Sequence, residues 1–220
     1  LTIISTHLRA DAQRNLELIL EAARAVFAEE GLDASVAEVA ERAGVGTATI
    51  FRRFPTKDEL VEAVLAQELG DVAARAKAAA ESDDPGAAIE DFMRSAVEAF
   101  ILDRCLCEAS GSDLFDRPRL QELAAEMLAS LTLLLQRAQE AGAIRPDVVP
   151  EDIGFLINAV GQAGLRIERT SPGAWRRYLD IQLDGLRADG ARPLLQKPPT
   201  LEELHAAKQP AAARRTRKIS

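Results

Sequence analysis

The sequence predicts an all-α protein, on three observations. Strand signals are scarce, because Val, Ile and Thr rarely alternate with polar residues. Long runs of Ala, Leu, Glu and Arg, all good helix formers, fill the chain. Within those runs apolar residues recur three and four positions apart, which stacks them on one face of a helix. With 220 residues, 47% hydrophobic and 28% charged, the chain can build one sizeable core or a small domain joined to a larger one.

The first long helix is expected over residues 8–30, where Leu16, Ile19, Leu20, Ala23, Val26 and Phe27 share a face. Gly31 follows as its C-cap. Ser35 starts a second helix, and Glu38 three residues on makes a capping box. Val36, Val39 and Ala40 form its inner face, Gly44 ends it, and Val45 plugs the corner. Gly46 opens a third helix, whose Ile50 and Phe54 point into a small core with Val26, Phe27 and Val39. Pro55 stops that helix. Thr56 with Glu59 is a second capping box and starts a fourth helix over 57–81. After a break at 82–86 (SDDPG), helices are expected over 87–106, 118–141, 151–169 and 175–188, with a loop or broken helix at 107–117. Past Gly190 the periodicity dissolves into a proline-punctuated, basic tail that is expected to be disordered, apart from a short helix near 201–208.

Residues 35–57 (SVAEVAERAGVGTATIFRRFPTK) therefore read as two short helices across a glycine turn. Arg52, Arg53 and Lys57 lie at its end, and residues 43–57 hold no Asp or Glu, although the chain carries a formal net charge of -8. Cations free of neighbouring carboxylates attract phosphates, so the pattern points to a helix-turn-helix that reads DNA. Residues 46–53 would lie in the major groove, with Ala48 and Phe51 in that groove-facing segment. Thr47 and Thr49 near its start can reach phosphates and thymine methyls, and the backbone N–H groups there attract phosphate. Arg52 is suited to pair with guanine O6 and N7. Arg53 and Lys57 are placed for backbone contacts, Ser35 caps the second helix beside the phosphate path, and Arg9 and Arg14 can clamp the flank.

Residues 19–27 (ILEAARAVF), 36–43 (VAEVAERA), 44–54 (GVGTATIFRRF) and 57–60 (KDEL), in this order and spacing, resemble the amino-terminal domain of the TetR family of bacterial transcriptional regulators. The resemblance covers about residues 9–62; beyond residue 65 only a helical pattern of suitable length continues. Phe51 stands where the family usually has tyrosine, so a hydroxyl-to-phosphate bond is lost. Arg53 replaces the usual histidine and adds a permanent charge. The resemblance implies a homodimer with two reading heads, a double-stranded operator, and a larger carboxy-terminal domain that binds a small-molecule effector. On that basis the expected division is a DNA-binding domain at 8–56, an effector and dimerisation domain at 57–190, and a basic tail at 191–220. The implied function is a repressor released from a palindromic operator by its effector.

Candidate effector residues within 87–170 are Phe92, Met93, Phe100, Phe115, Leu131, Phe155, Asn158 and Gln162. Asn158 and Gln162 lie one turn apart in an apolar helix and need partners if buried. Gly161 and Gly164 permit close helix approach, which fits a dimer interface built from 151–169 and 175–188 of each subunit.

Cys105 and Cys107 are too close for an ordinary disulfide and lack the companions of a metal site, so reduced, buried thiols are expected. No metal or cofactor is anticipated. No apolar run approaches the length of a membrane span and no signal-peptide plan opens the chain, so a cytoplasmic protein without a membrane partner is expected. His7 and His205 sit at the two ends, and no hydrolase, zincin or P-loop motif occurs, which argues against an enzyme. The alternative is a helical ligand-binding or adaptor protein without specific DNA binding, for which any DNA association would be insensitive to salt.

Overall fold

The computed structural model describes residues 2–109, 112–199 and 203, with side chains from residue 13 onward. Nine α-helices occur among them: α1 (Thr2–Glu30), α2 (Val36–Ala43), α3 (Thr47–Arg53), α4 (Lys57–Ala80), α5 (Pro85–Leu102), α6 (Arg104–Ala109), α7 (Pro118–Glu140), α8 (Pro150–Glu168) and α9 (Trp175–Leu186). Short 3-10 turns follow α1 at Gly31–Asp33 and precede α7 at Asp113–Asp116. The possible helix at 201–208 and most of the basic tail lie outside the described residues.

Local chemistry sets most boundaries. Ser35 accepts the Glu38 N–H while the Glu38 carboxylate takes the Ser35 N–H at 2.6 Å, a full capping box. Thr56 makes only half of one: its hydroxyl oxygen accepts the Glu59 N–H, but Glu59 turns to the Thr56 hydroxyl instead of the backbone. Asp84 caps α5 ahead of Pro85, which holds the first helical position where no N–H is needed. The stretch expected as a loop or broken helix at 107–117 begins as the end of α6 and holds the 3-10 turn at Asp113–Asp116, while the helix expected over 87–106 is interrupted at Asp103. Asp103 caps α6 through the Leu106 N–H at 2.9 Å.

Two hydrophobic clusters form the core. The first joins Val26, Phe27, Val39 and Ile50 of the amino-terminal helices to Leu60 and Leu65 of α4, Cys105 and Leu106 of α6, and Leu120 of α7. The second joins the far half of α4, from Val72 to Ala80, to α5, α7, α8 and α9. The boundary expected at 56/57 thus falls inside the first cluster. Helix α4, 24 residues and about 36 Å long at ~1.5 Å per residue, is the rod common to both. It packs chiefly on α7, as α5 does on α8. Arg42 closes a two-pronged pair with Glu29, at 2.9 and 3.1 Å, tying α2 to α1.

Gly161 and Gly164 serve a different contact from the one the sequence suggested. A Cβ on Gly161 would stand 2.7 Å from Phe100 Cδ1, and one on Gly164 2.5 Å from Ile101 Cδ1. Both glycines therefore let α8 settle onto α5 of the same chain.

Candidate nucleic-acid interface

The α2–α3 unit is held from within and leaves its polar side outward. Gly44 takes the left-handed conformation, with φ 68°, so the chain reverses without a Cβ penalty. Its N–H and that of Val45 return to the last carbonyls of α2. Ile50 is fully buried, and Val45 and Phe54 pack beside it on the first cluster. That anchoring turns Thr47, Ala48, Phe51, Arg52 and Arg53 to solvent and leaves Thr49 half-buried. Neither arginine takes part in an ion pair among the described residues. An α-helix with its side chains is about 10–12 Å across, which the ~12 Å major groove admits, and α3 runs for seven residues, Thr47–Arg53.

A groove of about 490 Å³ runs between α1 and α3, lined by Gln13, Asn15, Leu16, Ile19, Thr49, Arg52 and Arg53. Gln13 and Asn15 are polar additions that charge alone could not single out. Their signal was position, one turn before the buried face that starts at Leu16 and Ile19. Gln13 donates to Glu17 at 3.1 Å. Arg14 is exposed, and the side chain of Arg9 lies outside the described residues.

Two of the candidate contacts have structural partners. Ser35 is exposed but engaged in its capping box. Lys57 is half-buried, and its ammonium donates to the Leu32 carbonyl. The cation read as a backbone contact thus also fastens the start of α4 to the turn after α1.

The candidate effector residues occupy three environments instead of one cavity. Phe92, Met93 and Leu131 are buried in the second cluster. Phe100 and Phe115 pack half-buried against the first. Phe155 is 63% exposed, opposite the buried face of α8, so it is not an interior residue of this chain. Asn158 is half-buried and hydrogen-bonded or otherwise engaged. The Gln162 amide donates to the Cys107 carbonyl at 3.2 Å. Cys105 and Cys107 are both buried and reduced; burial pushes the Cys105 thiol up to about 12 and raises that of Cys107 as well. No group of metal-binding side chains occurs among the described residues, and no described helix is long and apolar enough to cross a membrane.

Comparison with known proteins gives this arrangement its setting. Residues 19–64 match the bacterial regulatory proteins of the tetR family, and residues 84–188 match the carboxy-terminal domain of SbtR-like transcriptional regulators. A TetR transcription regulatory protein from Mycobacterium vanbaalenii is 36% identical over 82% of this chain and 99% of its own, with a TM-score of 0.60. A TetR regulator from Streptomyces coelicolor is 29% identical over 79% of this chain and 99% of its own, also with a TM-score of 0.60. The regulator FadR from Bacillus subtilis, solved with stearoyl-CoA, shares the fold at 17% identity, covering 78% of this chain and all of its own with a TM-score of 0.60. The reading head, the helical body behind it and these likenesses converge: the chain belongs to the TetR family of bacterial transcriptional regulators.

Proposed function

We propose that the protein is a homodimeric repressor that leaves a near-palindromic operator when a small molecule binds its body. The observation that carries the reading is α3, a short helix whose exposed Arg52 and Arg53 make no ion pair among the described residues and lie in a stretch, 43–57, without Asp or Glu, in a chain of net charge -8. Arg52, Thr47, Ala48, Thr49 and Phe51 face the bases or the adjoining phosphates, and Arg53, Ser35 and Lys57 flank them on the backbone. Two such helices in successive major grooves, about 34–36 Å apart, require two-fold symmetry in the operator.

Support for the dimer comes from α8 and α9. Phe155, Tyr178 and Ile181 are large apolar or aromatic residues more than half exposed on these helices. Solvent exposure of such residues is costly unless a second surface covers them. In this reading the effector enters at the seam between the two clusters, around Phe100, Phe115, Asn158 and Gln162. Phe92, Met93 and Leu131 lie deeper in the second cluster and would have to part to admit a ligand. Operator and effector must then weaken each other by the same factor.

The experiment is to incubate the protein with fragmented genomic DNA from its source near physiological salt and sequence what is retained. Enrichment of a short palindrome, with affinity falling steeply as salt rises, supports the proposal. Salt-insensitive retention without an enriched site overturns it.

A further inference from the structure

Leu32 is gripped through both of its backbone polar groups. Its N–H donates to Glu108 Oε2 at 2.8 Å, and its carbonyl accepts the Lys57 ammonium. Glu108 belongs to α6, which lies between the reading head and α8. Its other oxygen, Oε1, accepts two hydrogen bonds from Arg104, at 2.8 and 3.2 Å, so the carboxylate is held from behind. The fit is close. Gly31 has φ +78°, and a Cβ there would stand 2.4 Å from Glu108 Oε2. The turn at Gly31–Asp33 leads directly to Ser35 and α2, and thence to α3.

The other end of this contact reaches the body. The Gln162 amide on α8 donates to the Cys107 carbonyl. That carbonyl and the Glu108 nitrogen belong to one planar peptide unit. A shift of α8 against α6 therefore reaches the Glu108 backbone through a single rigid plane, and Leu32 through the Glu108 side chain, which Arg104 braces, and one further hydrogen bond. The rest of α6 cannot absorb the movement by rearranging, because Cys105, Leu106, Cys107 and Ala109 are all buried.

We propose that Gln162 and Glu108 are positioning residues that set the seat of the reading head through the Leu32 backbone. The consequence for DNA affinity rests on the function proposed above; the mechanical link does not. Hydrogen exchange in the full chain separates the two. Gln162→Leu removes the donor and keeps the bulk, and Gln162→Met is the second choice if that variant folds poorly. Either variant should speed exchange of the Leu32 amide by about tenfold, the scale of one lost hydrogen bond, while α7 amides keep their rates. Glu108→Leu should do the same, and Glu108→Gln, which keeps an acceptor, should retain most of the protection. Affinity for a duplex that the unaltered protein selects from a random-sequence pool should fall several-fold in Gln162→Leu and Glu108→Leu, and by less than the product of the two in the double variant. Unchanged exchange at Leu32 in both Gln162 variants overturns the link, as does acceleration spread evenly over the chain, which marks a general loss of stability. If the pool yields no selected duplex, the proposed function fails and the exchange result still decides the link.

Discussion

Arg24 on α1 and Glu68 on α4 form an ion pair across the first cluster, with Arg24 Nη2 donating to Glu68 Oε2 at 3.2 Å. Arg24 Nε also contacts Glu68 Oε1, without hydrogen-bond geometry. The partners are unequal: the Arg24 side chain is 53% exposed and that of Glu68 only 9%. Burial raises the Glu68 carboxyl above its ordinary value, Arg24 pulls it back, and Asp103 pushes it further up. Removing the arginine strands a buried carboxylate. Arg24→Ala should therefore destabilise the protein by about 1–3 kcal/mol in urea unfolding at neutral pH. A group with a raised folded-state value favours folding in its protonated form, so this loss should shrink as pH falls through that value toward the ordinary carboxylate range. Glu68→Leu added to Arg24→Ala should recover most of it. An equal loss at every pH would show that packing, and not charge, holds this joint.

Arg52→Ala is expected to cost about 1–3 kcal/mol against the selected operator and to leave binding to unrelated duplex nearly unchanged. Arg53→Ala should weaken both alike and reduce the salt slope. Lys57→Ala should act twice. It removes a cation near the backbone path and the partner of the Leu32 carbonyl, so stability should fall by about 0.5–1.5 kcal/mol as well. Competition titrations at two salt concentrations, beside thermal unfolding, distinguish these outcomes.

Gly31 and Gly44 both have positive φ, at 78° and 68°, yet only Gly31 is crowded. Each change to alanine should cost about 1–2 kcal/mol from the backbone alone. Gly31→Ala should cost more than Gly44→Ala, because the new methyl meets the Glu108 carboxylate. Combining Gly31→Ala with Glu108→Ala should narrow the excess. Equilibrium unfolding of the unaltered protein, the three single variants and the double variant tests this, and equal costs for the two glycines would remove the steric argument.

Phe155→Arg and Ile181→Arg, each introducing charge on an exposed apolar position, should convert a dimer into monomers in sedimentation at micromolar concentration. Both side chains lie outside the chain's own core, so monomer folding should survive. An unaltered protein that sediments as a monomer would sink the dimer at once.

What the sequence revealed was local. Ser35 with Glu38, Gly44 and Pro55 act within a few residues, and the helix boundaries they mark agree with the fold. The apolar spacing of α1 and α2 likewise identified Ile19, Val26, Phe27 and Val39 as core. Distant partners were not legible. Lys57 reads as a free cation until the Leu32 carbonyl, 25 residues earlier, is seen beside it. Gly161 and Gly164 signal a close approach but not which helix approaches. Periodicity marks Phe92 and Phe155 equally as apolar, yet one is buried and the other is outside, because the rotation of each helix is set by the neighbours it packs on, α5 and α8 on each other among them. The six residues of α6 were too few to show a period, and Asp103 gave no sign of the helix it caps.

The shared rod α4 limits how such proteins can be recombined. Its first half, with Leu60, Val64 and Leu65, completes the core beneath the reading helices, and its second half, from Val72 to Ala80, completes the core of the body. A chimaera spliced at the start of α4 would seat a foreign head on apolar surface shaped for another, and the mismatch would extend to the α6 residues that share that core. If the proposed function holds, new operator specificity is better obtained by changing the exposed residues of α3, which no core contact constrains, than by exchanging whole heads. Head and body built this way share one rod, so a change in the core beneath either is felt along the same helix.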